Sequence, residues 1–101
     1  MSACTSSSVT SARVGTSLTE EEKHRLYAAA MAASEFPLES KIFKEVCNKI
    51  GIFDTGGNQN DNYMGFVTAH FEWAMKIENQ AFKREINTQE KARTYVEKYL
   101  P

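Results

Sequence analysis

The sequence lacks a surplus of charge of either sign, since its 101 residues include 12 basic and 13 acidic side chains. Proteins that bind duplex nucleic acid usually carry a basic surplus, because neutralising phosphate groups supplies much of their affinity. Basic and acidic residues also alternate, as where Lys23 and Arg25 follow three glutamates, which is typical of a solvated helix surface. We therefore expect no nucleic-acid partner and no binding to a membrane.

The sequence also lacks long apolar runs and has only two cysteines, and both facts bear on where the protein resides. No run approaches the ~18–20 apolar residues that a membrane-spanning helix requires, and the N-terminus shows no apolar core of a secretory signal. Cys4 lies in a polar tail and Cys47 on an apolar helix face, so we expect no disulfide between them. A cytoplasmic or other reducing intracellular compartment is predicted.

Residues 1–18 form a distinct segment without acidic side chains and with a single basic one, Arg13. Half of these residues are serine or threonine, a composition that buries too little apolar surface to offset the entropy lost on ordering. We predict a disordered N-terminal arm over residues 1–18, followed by a helical domain over residues 19–101. An organelle transit peptide is the alternative, because such peptides are also rich in serine and poor in acidic residues.

The helical domain shows helical periodicity and no strand-like alternation, which predicts an all-α, compact four-helix domain. The first helix begins at Thr19, where Glu22 completes a capping-box pattern. The second opens with Pro37 and ends before Gly51, a residue suited to a left-handed C-cap. The four helices are expected at about 20–34, 37–50, 61–86 and 89–100.

The predicted third helix, about residues 61–86, is apolar over more than half of its circumference. A helix with so wide an apolar sector must be covered on two sides. Trp, Met and other large side chains on such a sector are also typical of binding surfaces. The residues predicted to bind are His70, Phe71, Trp73, Met75 and Phe82.

The polar loop at residues 54–62 lacks the defining residues of two known kinds of ligand site. A calcium-binding EF-hand loop has glycine at its sixth position and glutamate at its twelfth. Counted from Asp54, these positions hold Gln59 and Gly65. The loop also lacks the Lys-Ser/Thr pair of a phosphate-binding P-loop. We therefore predict turns and helix caps here, with no metal and no cofactor.

Catalytic groups are scarce. Cys47 with His70 or His24 is the one conceivable nucleophilic pair, but catalytic thiols need electropositive and partly exposed surroundings. Cys47 is instead flanked by Val46 and Ile50, which favours a role in packing. The sequence therefore assigns no catalytic residue and leans against an enzyme without excluding one.

His70 lies within the apolar stripe of the third helix, where a polar ring needs a hydrogen-bond partner. We expect that partner to be a backbone carbonyl or a tyrosine. The sequence favours a non-enzymatic protein-binding or regulatory domain that acts through the apolar face at about 61–86, by self-association or with a partner protein. The alternative is a small-ligand or cofactor binder with His70 lining an interhelical pocket.

Overall fold

The computed structural model describes residues 18–100, and it confirms the all-α prediction for that part of the chain. The predicted N-terminal arm at 1–18 lies outside the described residues except for Leu18. One isolated bridge between Phe53 and Gln59 is the closest approach to a strand among residues 18–100, and no helix in this range is long and apolar enough to cross a membrane. The helices are α1 (Glu20–Ala32), α2 (Lys41–Ile50), α3 (Tyr63–Met75), α4 (Ile77–Glu85) and α5 (Gln89–Glu97), with a 3-10 turn at Pro37–Glu39.

Helix α1 is the central element of the domain, and its start follows from the predicted capping box. The Thr19 hydroxyl accepts from the Glu22 backbone N–H at 3.1 Å, and the Glu22 carboxylate accepts from the Thr19 N–H at 2.9 Å. The buried face of α1 includes Leu26, Ala29 and Ala30. These alanines add little bulk, so α2 and α5 approach α1 closely.

Helix α2 is shorter than the predicted helix at 37–50, because the chain is extended at Ser40. Pro37 begins a separate 3-10 turn, and the Ser40 hydroxyl then caps α2 by accepting from the Phe43 N–H. The helix ends at Gly51, whose φ of 98° lies in the left-handed region, as predicted. Phe43 and Cys47 from this helix are buried in the core.

The prediction of one continuous helix over 61–86 is wrong, because Lys76 has an extended backbone (φ −72°, ψ 138°) that separates α3 from α4. A helix end leaves carbonyl groups without intrahelical partners. Here the Asn79 side chain donates to the Trp73 carbonyl, and the Gln80 side chain donates to the Ala74 carbonyl, each at 2.8 Å. Two side-chain amides therefore stabilise a break that apolar periodicity does not reveal, and the described residues contain five α-helices instead of four.

The main core lies between α1, α2 and α5, and α3 is attached at its edge. Only two of the thirteen residues of α3, His70 and Trp73, are buried. The buried core residues are Leu26, Tyr27, Ala29, Ala30, Ala33, Phe43, Val46, Cys47, Ile50, Ile52, Phe53, Ile86, Ala92 and Val96. Helix α3 therefore contributes more of its surface to solvent than to the core.

Two glycines allow a direct test of the backbone geometry. A Cβ added at Gly51 or at Gly65 would meet no atom within 4 Å, so the two substitutions differ only in the backbone conformation that alanine must adopt. We expect Gly51→Ala to destabilise the domain by about 1–2 kcal/mol, because the left-handed region is unfavourable for alanine. We expect Gly65→Ala, within α3, to stabilise it by about 0.5–1 kcal/mol. Urea unfolding followed by circular dichroism measures both, and effects of the same sign would contradict the assignment.

Candidate protein-binding surface and the histidine pair behind it

Helix α3 presents an exposed apolar stripe to solvent. Met64, Phe71 and Met75 are 71%, 65% and 78% exposed, and the exposed Thr68 lies between them at helical spacing. At 100° per residue these four side chains fall within an arc of about 60°. We call Met64, Thr68, Phe71 and Met75 the α3 stripe. Methionine and phenylalanine side chains are normally buried, so a line of them that is open to solvent is a candidate contact surface.

The opposite face of α3 is fixed to α1 by a pair of histidines. The Nδ1 atoms of His24 and His70 lie 3.1 Å apart and share a hydrogen bond, in which one ring donates and the other accepts. The partner of His70 is thus a histidine 46 residues away, and neither the carbonyl nor the tyrosine that we predicted from the sequence. At least one of the two rings must be neutral to accept this bond.

Aromatic rings enclose the histidine pair. The ring of His24 is stacked on Phe66 with centroids 4.6 Å apart and on Trp73 with centroids 5.7 Å apart. Tyr27 packs edge-on against His70 at 4.7 Å. These contacts exclude water from the pair and join α1 to α3 over two turns of each helix.

Trp73 adds a polar contact between the same two helices. Its indole N–H donates to both carboxylate oxygens of Glu21 at 3.1 Å. The indole ring is buried while its N–H points to the rim, a common arrangement for tryptophan at the edge of a core. Trp73 therefore serves the attachment of α3, and it does not belong to the exposed α3 stripe.

Burial lowers the pKa of both histidines. The shift is largest for His70, whose pKa falls to about 4 because of desolvation, with smaller contributions from the charges of His24 and Lys83. Desolvation also lowers the pKa of His24, opposed by Glu20 and Glu21 on the same helix. The pair is accordingly neutral at neutral pH. Within residues 18–100 no group of three or more His, Cys, Asp or Glu side chains is placed to hold a metal ion.

The other candidate groups from the sequence take structural positions. Burial raises the pKa of Cys47 to about 12, so its thiol stays protonated and is a poor nucleophile. In the polar loop, the Asp54 carboxylate accepts from the backbone N–H groups of Gly56 and Asn58. The amides of Asn60 and Asn62 both donate to the Gly51 carbonyl. These bonds form the predicted turns and satisfy the carbonyl of the residue that follows α2, whereas the predicted side-chain cap at the start of α3 is absent.

The five residues predicted to bind lie on different sides of the domain. Phe71 and Met75 are exposed on the α3 stripe. His70 and Trp73 are buried against α1, and Phe82 is partly buried on α4, where its ring packs edge-on against Tyr95 at 5.1 Å. Met64 joins the exposed set. Its place beside Phe71 and Met75 was visible in the helical periodicity, whereas the inward direction of Phe82 follows from the break at Lys76.

Other exposed apolar side chains lie outside the α3 stripe. Phe36 and Leu38, beside the 3-10 turn, are each 65% exposed. A cleft of about 400 Å³ lies elsewhere, between α1 and α3, and its lining includes Lys23, Gly65 and Ala69 but not His70.

Comparison with protein-family models, with curated protein sequences and with solved structures finds no match to this chain.

The histidine pair predicts a loss of stability in mild acid. In the unfolded chain His70 titrates near its ordinary pKa of 6.5, whereas in the folded domain its pKa is about 4. Between these values the unfolded state binds more protons, so the stability of the domain falls as the pH is lowered. We expect a loss of roughly 2–3 kcal/mol from pH 6.5 to 4 on this account.

Urea unfolding at a series of pH values measures this loss, and the variant His70→Phe provides the comparison. The nearby charges that also affect the pair are Glu20, Glu21, Lys23, Lys76 and Lys83, and all are retained in the variant. We expect a shallower dependence of unfolding free energy on pH in His70→Phe. Equal dependence in the two proteins would show that the pair does not control acid stability.

Proposed function

We propose that this chain is a non-enzymatic protein-binding domain whose contact surface is the α3 stripe. The observation that carries the proposal is the exposure of Met64, Phe71 and Met75 along one line of a helix whose opposite face is fixed to α1. The surface is held in place before any partner arrives, which lowers the ordering cost of binding. The regulatory role and the reducing compartment expected from the sequence belong to the same proposal.

The chemistry of the partner follows from the spacing of the stripe. Its members are separated by four, three and four residues, which is the spacing of the core positions of a coiled coil. Such a seam fits the apolar side of a second helix, where side chains from each helix enter the spaces of the other. Methionine is flexible and polarisable, so Met64 and Met75 adapt readily to facing side chains. We therefore assign an amphipathic helix as the partner.

The size of the stripe sets the strength of the interaction. Burying three large apolar side chains contributes roughly 1.5–3 kcal/mol each. Association costs of about 4–15 kcal/mol oppose this gain. The two quantities nearly cancel, so the stripe supports a weak and reversible contact unless its edges also contribute.

The structure offers less support for the alternative of a small-ligand site at His70. The ring of His70 is enclosed by Tyr27, Phe66 and Trp73, and its Nδ1 is already bonded to His24. The cleft between α1 and α3 does not include it. No observation favours the ligand site, and it stays a prediction from the sequence.

A designed peptide tests the proposed surface. The probe is a neutral amphipathic helix with leucines at the same four, three and four spacing. We expect it to change the amide chemical shifts of α3, and we expect the variant Phe71→Asp to abolish these changes because a charge in the seam is costly to bury. Nuclear magnetic resonance titration of the ¹⁵N-labelled full chain gives the measurement.

The variant Phe36→Asp is the matched control, since Phe36 and Phe71 are the same residue type with the same exposure of 65%. It should bind the peptide as the unmodified chain does. Absence of shift changes in the unmodified chain, or changes centred on Phe36 and Leu38, would overturn the proposed surface. Thermal unfolding of both variants verifies that neither substitution disturbs the fold.

A further inference from the structure

We infer that the helix bound by the α3 stripe is α3 of a second copy of this chain, packed antiparallel about a two-fold axis. This inference rests on the proposed function, because it names the partner of the same surface. The two-fold axis crosses the stripe at its centre, level with the peptide bond between Ala69 and His70. Three separate features of α3 are complementary to the same features of a second copy related by this axis.

The first feature is the seam itself. The separations of four, three and four residues are the same when they are read from either end of the helix. Rotation about the axis places Met64 opposite Met75 of the second copy, and Thr68 opposite Phe71 of the second copy. In a symmetric dimer a surface must be complementary to itself in this manner. Each Thr68 is also covered by an apolar ring instead of facing a second threonine.

The second feature is charge on one edge of the stripe. Asp61 precedes α3 and Lys76 follows it, so opposite charges lie at the two ends, and both residues are exposed. Antiparallel packing places Asp61 of one copy beside Lys76 of the other. It also places Glu72 opposite Gly65, so the carboxylate meets no like charge. Parallel packing would bring together two copies of Asp61 at one end and of Lys76 at the other, which is unfavourable.

The third feature is the other edge, which is apolar. Ala74 is partly exposed there, and Val67 packs against the core of its own domain with part of its side chain still exposed. Antiparallel packing places Val67 opposite Ala74 of the second copy. A larger and a smaller side chain then meet on each side of the axis. The apolar edge therefore extends the seam, while the charged edge pairs Asp61 with Lys76 of the second copy. Together the two edges supply the contribution that the stripe alone lacks.

The length of α3 limits the affinity. Thirteen residues of helix extend about 20 Å, so a single pair of such helices forms an interface at the small end of the range for specific complexes. We expect a dissociation constant on the order of 10–100 µM. The dimer would then form and separate with the concentration of the chain.

Sedimentation equilibrium of the full chain tests self-association at concentrations up to about 1 mM, well above the expected dissociation constant. The average mass should rise from that of the 11.4 kDa chain toward twice that value. Phe71→Asp should remain monomeric throughout, and Phe36→Asp should dimerise as the unmodified chain does. A chain that stays monomeric at the highest concentration overturns the inference, as does a dimer that Phe71→Asp leaves intact.

Disulfide cross-linking tests the antiparallel direction. In a Cys4→Ser background, Met64→Cys and Met75→Cys chains are mixed and oxidised. Mixed 64–75 dimers should form faster than either symmetric dimer. Faster formation of 64–64 and 75–75 dimers would indicate parallel packing and overturn the proposed arrangement.

The designed peptide separates failure of this inference from failure of the proposed function. If the chain binds the peptide but never dimerises, the proposed function is supported and only the inference that the partner is a second copy fails. A chain that neither binds the peptide nor dimerises removes both.

Discussion

The contact between His24 and His70 is the interaction on which the arrangement of α3 depends. Helix α3 places only two residues in buried positions, so it is held to the domain mainly through one face. At that face the two imidazoles share a hydrogen bond, and the rings of Phe66 and Trp73 are stacked on His24. The bond between Trp73 and Glu21 closes the rim of the same contact. These contacts join α3 to α1, and Tyr63, Phe66 and Val67 add partial packing against the core.

The break at Lys76 divides one apolar surface into a part that packs within the domain and a part that is exposed. If α3 and α4 were continuous, a single apolar stripe would run from Met64 through Phe82, and all of it would have to be buried against another element or another chain. The extended residue at Lys76 instead allows Phe82 to reach Tyr95 and the core edge, while Phe71 and Met75 stay exposed. Phe82 therefore packs within the domain, and the exposed stripe is limited to the length of α3.

Local signals in the sequence predicted the parts of this fold that local physics controls. Thr19 with Glu22, and the left-handed Gly51, define helix ends through hydrogen bonds and backbone freedom within a few residues, and the structure has both. The break at Lys76 depends on side chains that reach back to carbonyls six residues away, so periodicity did not predict it. The partner of His70 was missed for a related reason, because polar burial requires a partner but does not specify one 46 residues away.

A polar contact at this position also has an energetic consequence for the exposed surface. Two neutral imidazoles lose their hydrogen bonds to water on burial and gain only one hydrogen bond, to each other. The attachment of α3 is therefore weaker than apolar packing of equal area would be. Elements with few buried residues open at lower free energy than the core does. A partner that binds only the attached form of α3 would therefore stabilise that attachment by mass action. The polar contact at the back of the helix thus allows the occupancy of the stripe to influence how firmly α3 is held to α1.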